Sequence, residues 1–217
     1  MKKKISKRFK NLIKNSDSKK INVIETAIKE VKKNCTAKFN ESIDVSFLVN
    51  LKHKKEEINL RTVVNLPNGN GKKIKVAVLC EDSKAKEAKE SGADLYESEQ
   101  IINDINNGKI KFNKLIATPA MMPKTGKLGK ILGPKGLMPN PKLGTVTNNL
   151  KSIVKAIKSG QIEIKNDEDG NLAASIGKKS FPDNKIKENL EVFLDTLKKE
   201  KPQGIKGDFI LSAYASL

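Results

Sequence analysis

Residues 68–80 read "NGNGKKIKVAVLC". Two glycines and two asparagines in four residues are a turn or hinge signal. The nearly continuous apolar run that follows, "KIKVAVLC", is the kind of strand found in a sheet covered on both faces. Downstream the same grammar continues. "SKAKEAKESGA" predicts a short helix, with Ser83 as N-cap and Gly92 just past its end. "ADLYE" reads as a short strand. "SEQIINDINNG" is a second helix, capped by Ser98 and stopped at Gly108, and "FNKLIATP" is a third strand. "TNNLKSIVKAIKSG" places Leu150, Ile153, Val154 and Ile157 on one helical face, with Thr147 or Asn148 as cap and Gly160 as stop. This βαβαβ alternation predicts a small parallel, doubly wound sheet in a Rossmann-like, three-layer α/β domain.

On either side of this block the grammar is antiparallel. "INVIETAIKEVKK" sets Ile24, Ala27, Ile28 and Val31 on one face of a helix, which Asp17 or Ser18 can cap. "FNESIDVSFLVNL" alternates through Ile43, Val45, Phe47 or Leu48, and Val49, as a strand does. "LRTVVNLP" reads as its partner, closed by Pro67, with residues 52–59 as a charged connection. After Gly160, "QIEIK" and "NLAASIG" flank the turn "NDEDG" as a hairpin. "DNKIKENLEVFLDTLKKEKP" is an amphipathic helix along Ile186, Leu190, Phe193 or Leu194, and Leu197, and "GDFILSAYASL" is a last strand. The fold class is therefore α/β with two domains. A discontinuous two-layer α/β domain of split β-α-β type, 1–69 plus 160–217, carries an inserted Rossmann-like domain, 70–159, between two glycine hinges. Two adjacent connections permit rotation of one domain on the other.

The charge balance points to a partner. Lys and Arg number 43 against 25 Asp and Glu, a net charge of +18, and all but Arg8 and Arg61 of the cations are lysine. Residues 1–20 hold nine cations and one acid, Asp17; Ile105 through Ile162 hold eleven lysines and no acid. Polyphosphate binding rewards such an excess, because each neutralised phosphate releases counterions. A nucleic acid is the expected ligand.

Other classes fare worse. No apolar run approaches the ~20 residues that span a bilayer. The basic start resembles a signal-peptide n-region, but no apolar stretch of ~7–15 residues follows, so the chain reads as soluble and unexported. Cys35 and Cys80 have no CxxC spacing, and His53 is the single histidine, in the charged stretch "LKHKKEE". Zinc and histidine-based triads are poor fits. Cys80 ends an apolar run and reads as core; Cys35 follows a helix without an activating partner. The segment Gly133–Pro141, "GPKGLMPNP", can cradle a phosphate, hold a lid or brace a fold. The Gly126–Gly136 region lacks the GxxxxGK[ST] spacing of a phosphate loop, and "VLCEDSKAKEA" lacks GxGxxG. Catalysis, metal and nucleotide cofactor are not expected.

At this point a resemblance emerges. "LGKILGPKGLMPNPKLGTVT", Leu128–Thr147, closely resembles the signature of the family of large-subunit ribosomal protein one (L-one), bacterial type. "AKFNESIDV", "VAVLC", "SGADLYE", "LIATPAMM", "AIKSGQIEIKNDEDG" and "SFPDNKIKENLEVFLDTLKKEKPQGIKG" are similar to it in the same order. The resemblance implies the discontinuous fold above and a place in the 50S-type subunit of cytoplasmic ribosomes. There the chain would bind the mobile stalk of large-subunit rRNA near the E site, assist release of deacylated tRNA, and repress its own operon mRNA through the same surface. It places the main RNA contact on Lys38, Phe39, Glu41 and Ser42, on Lys165, Asn166 and Asp167, and on Ser212 and Tyr214. Family members continue past the last strand into a Thr-Met-Gly segment that touches RNA; this sequence stops at Leu217.

The chemistry of these residues is open to two readings. Glu41 and Asp167 can accept from 2′-hydroxyls or base amino groups, or can orient Lys38 and Lys165. Phe39 can pack on a ribose or base, or be a core aromatic. Ser212 and Tyr214 share strand parity, facing RNA or the interior together. Lys124, Lys127, Lys130, Lys135 and Lys142 form a secondary basic surface for phosphates of stalk rRNA or E-site tRNA.

Overall fold

The computed structural model describes residues 6, 10, 23–50, 60–202 and 207–216. The expected cap residues Asp17 and Ser18, the connection 52–59 with His53, and Leu217 lie outside them. Among the described residues no helix is long and apolar enough to cross a membrane. The chain forms two compact units, residues 1–57 with 167–217, and residues 58–166.

The first unit contains α1 (Ile24–Asn34), β1 (Ser42–Val49), β6 (Asn171–Lys178), α7 (Asp183–Lys199) and β7 (Ile210–Ser216). The sheet order is β6–β1–β7, antiparallel throughout. β1 alternates as its sequence dictates: Ile43, Val45, Phe47 and Val49 are buried, and Ser42, Asp44, Ser46 and Leu48 face the other side half-exposed. The helices cover the apolar side. Phe47 stacks on Phe193 of α7 with ring centroids 5.3 Å apart, so Phe193 rather than Leu194 carries the helix core. Burying each ring stabilises the unit by about 1.5–3 kcal/mol. Asn189, fully buried on α7, donates to the Ile176 carbonyl at 2.8 Å. The ion pairs Glu25–Lys187 (2.7 Å) and Lys32–Asp183 tie α1 to α7.

The second unit contains β2 (Arg61–Asn65), β3 (Val76–Leu79), α2 (Ala85–Glu90), α3 (Ser98–Asn106), β4 (Lys114–Ala117), α4 (Met122–Lys127), α5 (Gly129–Leu132), α6 (Leu150–Ser159) and β5 (Gln161–Lys165). β3 and β4 are parallel; Leu95 bridges to Ala77 and Val146 to Ala117, also in parallel. One face packs Leu79, Leu115 and Ala117 against Ile101 and Ile105 of α3. The other packs Val76, Val78 and Ile116 against Ala88, Leu150, Val154 and Ile157. This is the three-layer doubly wound arrangement, and Cys80 lies buried in it.

Several local expectations are corrected. β2 pairs with β5, not with β1, and β6 pairs with β1, so residues 161–177 form no hairpin. The β2–β5 pair and the parallel sheet both lie in the unit of residues 58–166. Ser98 does not cap α3; its hydroxyl donates to the Cys80 carbonyl (2.6 Å) and accepts the Cys80 N–H (3.0 Å). Asn149, not Thr147 or Asn148, caps α6 by accepting the Ser152 N–H at 3.3 Å. Residues 82–84 form a 3₁₀ turn, so Ser83 lies inside it rather than capping α2.

Candidate nucleic-acid interface

The loop before β1 presents its side chains by being pinned from behind. Asn40 Nδ2 donates to Ser180 Oγ at 2.9 Å, and Asn40 Oδ1 accepts the Ser180 N–H at 3.2 Å. Lys179 donates its backbone N–H to the Glu41 carbonyl and its Nζ to the Cys35 carbonyl at 2.7 Å. Between these clamps Lys38 is exposed and Phe39 is 72 % exposed. Phe39 is thus no core aromatic. Most of its apolar surface faces solvent, which is unusual for a large apolar ring.

Glu41 points the other way. It is 6 % exposed and lies beside Cys35. Burial, then the Glu41 carboxylate, pushes the Cys35 thiol above its ordinary pKa. Glu41 therefore braces the loop from inside. Ser42 is half-exposed and accepts Lys178 Nζ at 3.0 Å. Register then brings the C-terminal strand alongside: Ser46 opposes Tyr214 and Leu48 opposes Ser212. Tyr214 is 59 % exposed on the side away from the helices. Ser212 and Tyr214 share parity as expected, and both face outward.

Asp167 has a local task. Its Oδ1 accepts the N–H groups of Asn171 (2.6 Å) and Asp169 (3.1 Å), and its Oδ2 accepts Asn171 Nδ2 (3.0 Å). The hydrogen bonds from Asn171 hold its carboxyl below the ordinary range. It shapes the turn before β6, aided by Gly170 at φ 85. Lys165 and Asn166 belong to the second unit. Asn166 is tied to the start of β2, its Oδ1 accepting the Leu60 N–H at 2.6 Å, whereas Lys165 is exposed.

In the second unit Lys124, Lys127, Lys130, Lys135 and Lys142 are all exposed. The Gly/Pro segment is braced from within. Leu132 is buried, and Leu137 and Met138 pack on the α3-side core. Asn140 Oδ1 accepts the Lys142 N–H at 2.9 Å, and Thr145 Oγ1 accepts the Asn140 N–H at 2.7 Å. The apolar residues fix the path, and the lysines remain on its outside. Among the described residues no group of His, Cys, Asp and Glu is placed to hold a metal ion.

Sequence reading missed part of the open sheet face. Asp44, Ser46, Ser175 and Ser216 share it with Ser42, Ser212 and Tyr214. The polar alternation of "SIDVSFLV" was the available signal; only pairing shows which residues of β6 and β7 stand beside it.

The family model described as "Ribosomal protein L1p/L10e family" matches residues 31–216. A protein of Pelagibacter ubique named large ribosomal subunit protein uL1 is 58% identical over 210 residues, 96% of this chain and 92% of that protein. A protein of the same name from Fervidobacterium nodosum is 42% identical over 214 residues, 98% of this chain and 91% of that one.

Proposed function

The chain belongs to the ribosomal protein L1p/L10e family, and on that premise we propose that it is a constituent of the large ribosomal subunit whose discontinuous domain grips the rRNA stalk near the E site. The observation that carries this reading is Phe39. An aromatic ring 72 % exposed, on a loop clamped by residues 178–180, is preorganised for a ribose or base. Lys38 beside it supplies a phosphate contact, as does Lys165. Ser42, Ser212 and Tyr214 supply hydroxyls for an irregular RNA surface. Asp167 and Glu41 hold backbone in place within the first unit, and Asn166 does so beside Lys165 within the second.

The lysines of the 58-residue acid-free stretch form a second surface for RNA phosphates, which suits deacylated tRNA leaving the E site. The same first surface would bind the chain's own operon mRNA, and a gel-shift comparison of leader and stalk RNA ranks the two. Function on cytoplasmic ribosomes follows from these roles.

The test is a titration of a stalk rRNA fragment with the wild-type chain and Phe39→Ala across a salt series. Loss of stacking weakens the variant by about five- to hundredfold at every salt concentration. The salt slope stays the same, because no phosphate contact is removed. Melting is unchanged, because the ring is not packed. Equal affinities would refute the assignment.

A further inference from the structure

We propose that the second unit holds a site for a small phosphate monoester at the carboxyl end of its parallel sheet, with Thr118 at its base and the start of α6 as its wall. The site uses none of the residues assigned to RNA, so it stands or falls apart from that reading.

Topology makes the place. Leu95 bridges to β3 on one side and Val146 to β4 on the other, all in parallel. The chain thus leaves β3 in one direction and β4 in the opposite one. Ala88 of α2, which follows β3, packs on the Val78 face of the sheet. Met121, which follows β4, packs on the Leu79 face. The two connections part at the carboxyl ends of neighbouring strands. Doubly wound sheets bind ligands in the crevice that such a parting leaves.

Thr118 stands at that point. Its N–H donates to the Leu79 carbonyl at 2.9 Å, and its backbone is extended. Strand alternation therefore sets its side chain on the face of Ile116. Ile116 shares a core cluster with Leu150, the first residue of α6. Two residues of strand advance about 6–7 Å, which brings Thr118 to the N-terminus of α6. Thr118 is 1 % exposed, and its Oγ1 has no hydrogen-bond partner. A buried hydroxyl in that state is uncommon and costly.

The surroundings select the ligand group. The opening N–H groups of a helix lack partners inside it and, with the helix dipole, favour an anion. Asn149 takes the Ser152 N–H at 3.3 Å, which leaves those of Leu150 and Lys151 for a ligand. Lys84, on the β3–α2 connection, reaches across to Asn148, Nζ to Oδ1 at 2.9 Å. This exposed tie brings a cation to the same end, and a ligand can take it over. Backbone N–H groups, a hydroxyl and an ammonium together match the oxygens of one phosphate. Glu81 and Asp82 on the same connection, and Glu87 on α2, are exposed. They oppose a polyphosphate or an RNA backbone, and Glu81 and Asp82 can accept hydroxyls of a small ester. A dinucleotide is not the ligand, because "VLCEDSKAKEA" lacks its glycine pattern.

The experiment titrates ribose 5-phosphate, inorganic phosphate and ribose into the isotope-labelled full chain and follows amide shifts. Ribose 5-phosphate is expected to move the amides of Thr118, Leu150 and Lys151 saturably, about tenfold more tightly than inorganic phosphate, and ribose to move none. Thr118→Val removes the hydroxyl at nearly constant shape. It is expected to bind the ester about tenfold more weakly. Its melting temperature is expected to equal or exceed that of wild type, because an unsatisfied buried group is gone. Lys84→Ala, a surface change, is expected to weaken the ester severalfold and keeps the test open should Thr118→Val fail to fold. Still amides at these positions, or undiminished binding in either folded variant, overturn the site. Shifts centred on Lys124, Lys127 and Lys130 instead overturn it as well. Inorganic phosphate binding as tightly as the ester means an adventitious ion only and overturns the ester assignment. The stalk rRNA titration of Phe39→Ala is read separately, so either reading can fail alone.

Discussion

Replacing Gly160 by alanine tests a close backbone approach in the second unit. Gly160 ends α6 with φ 118 and ψ 22, a left-handed conformation. A Cβ there would lie 2.4 Å from Gly69 Cα, 3.0 Å from the Leu66 carbonyl oxygen and 3.1 Å from the Gly69 nitrogen. Comfortable contacts between carbon atoms begin near ~3.5 Å, so the two segments must part by about 1 Å. No side chain can yield, because every clashing atom is backbone. Parting them also stretches the 3.2 Å hydrogen bond from Leu66 N–H to the Gly160 carbonyl, beside the end of the β2–β5 ladder. The left-handed backbone costs about 1–2 kcal/mol, and forced overpacking about 1–3 kcal/mol more. The expected loss is about 2–5 kcal/mol, a large part of a typical stability of about 5–15 kcal/mol. In urea, at about 1–3 kcal/mol per molar, the midpoint for this unit falls by about 1–2 M. Gly92→Ala is the control. Gly92 has φ 82 but open space where a Cβ would go, so it shows only the conformational cost. If Gly160→Ala is no worse than Gly92→Ala, the close approach does not constrain the fold and the reasoning fails.

Glu163 gives a pH-dependent test. Burial pushes its carboxyl up, but hydrogen bonds from Lys114 (2.8 Å) and Arg61 (2.7 Å) outweigh this, and its pKa lies below the ordinary value. A depressed carboxylate contributes stability at neutral pH and loses it as pH falls through the folded-state pKa. Glu163→Gln is therefore expected to cost about 1–2 kcal/mol at neutral pH. The gap to wild type closes in urea melts as pH drops below about 4.3; a gap that persists into full protonation contradicts the ion-pair account. On the basic surface, Lys124→Glu with Lys127→Glu and Lys130→Glu is expected to weaken RNA binding mainly at low salt. The salt slope falls by roughly one unit per fully engaged lysine; an unchanged slope and affinity would make the tract a solvated face.

The helices and strands that sequence located best are those whose signal is local. The inward face of α1, with Ile28 buried and Ile24, Ala27 and Val31 half-buried, follows from a 3.6-residue period. The alternation of β1 follows from a period of two, and it left open only whether Phe47 or Leu48 points in. Pairing was misread where proximity in sequence stood in for proximity in space. β5 and β6 are separated by a tight turn, yet each finds its partner elsewhere. At the site, the family resemblance implies Phe39 and Tyr214 as contacts, but their exposure is not legible in the residues themselves. The charge of Glu41 gave no hint that it is buried beside Cys35. Asp44 was passed over because an acid among apolar residues on a strand looks like ordinary surface alternation.

By itself, the sequence determined the α/β class, the doubly wound grammar after residue 70, the excess of lysine and the family signature at Leu128–Thr147. These depend on composition and on periods of a few residues, which every short window carries. Only the tertiary structure decided which strands pair, and hence that Ser175, Asp44 and Ser216 stand in one row. It also decided that the Gly/Pro segment is braced by Leu132, Leu137 and Met138, leaving its lysines outward. Such juxtapositions join residues up to 172 positions apart on the opposed strands of one sheet. They are set by the packing of a whole unit, which no local pattern encodes.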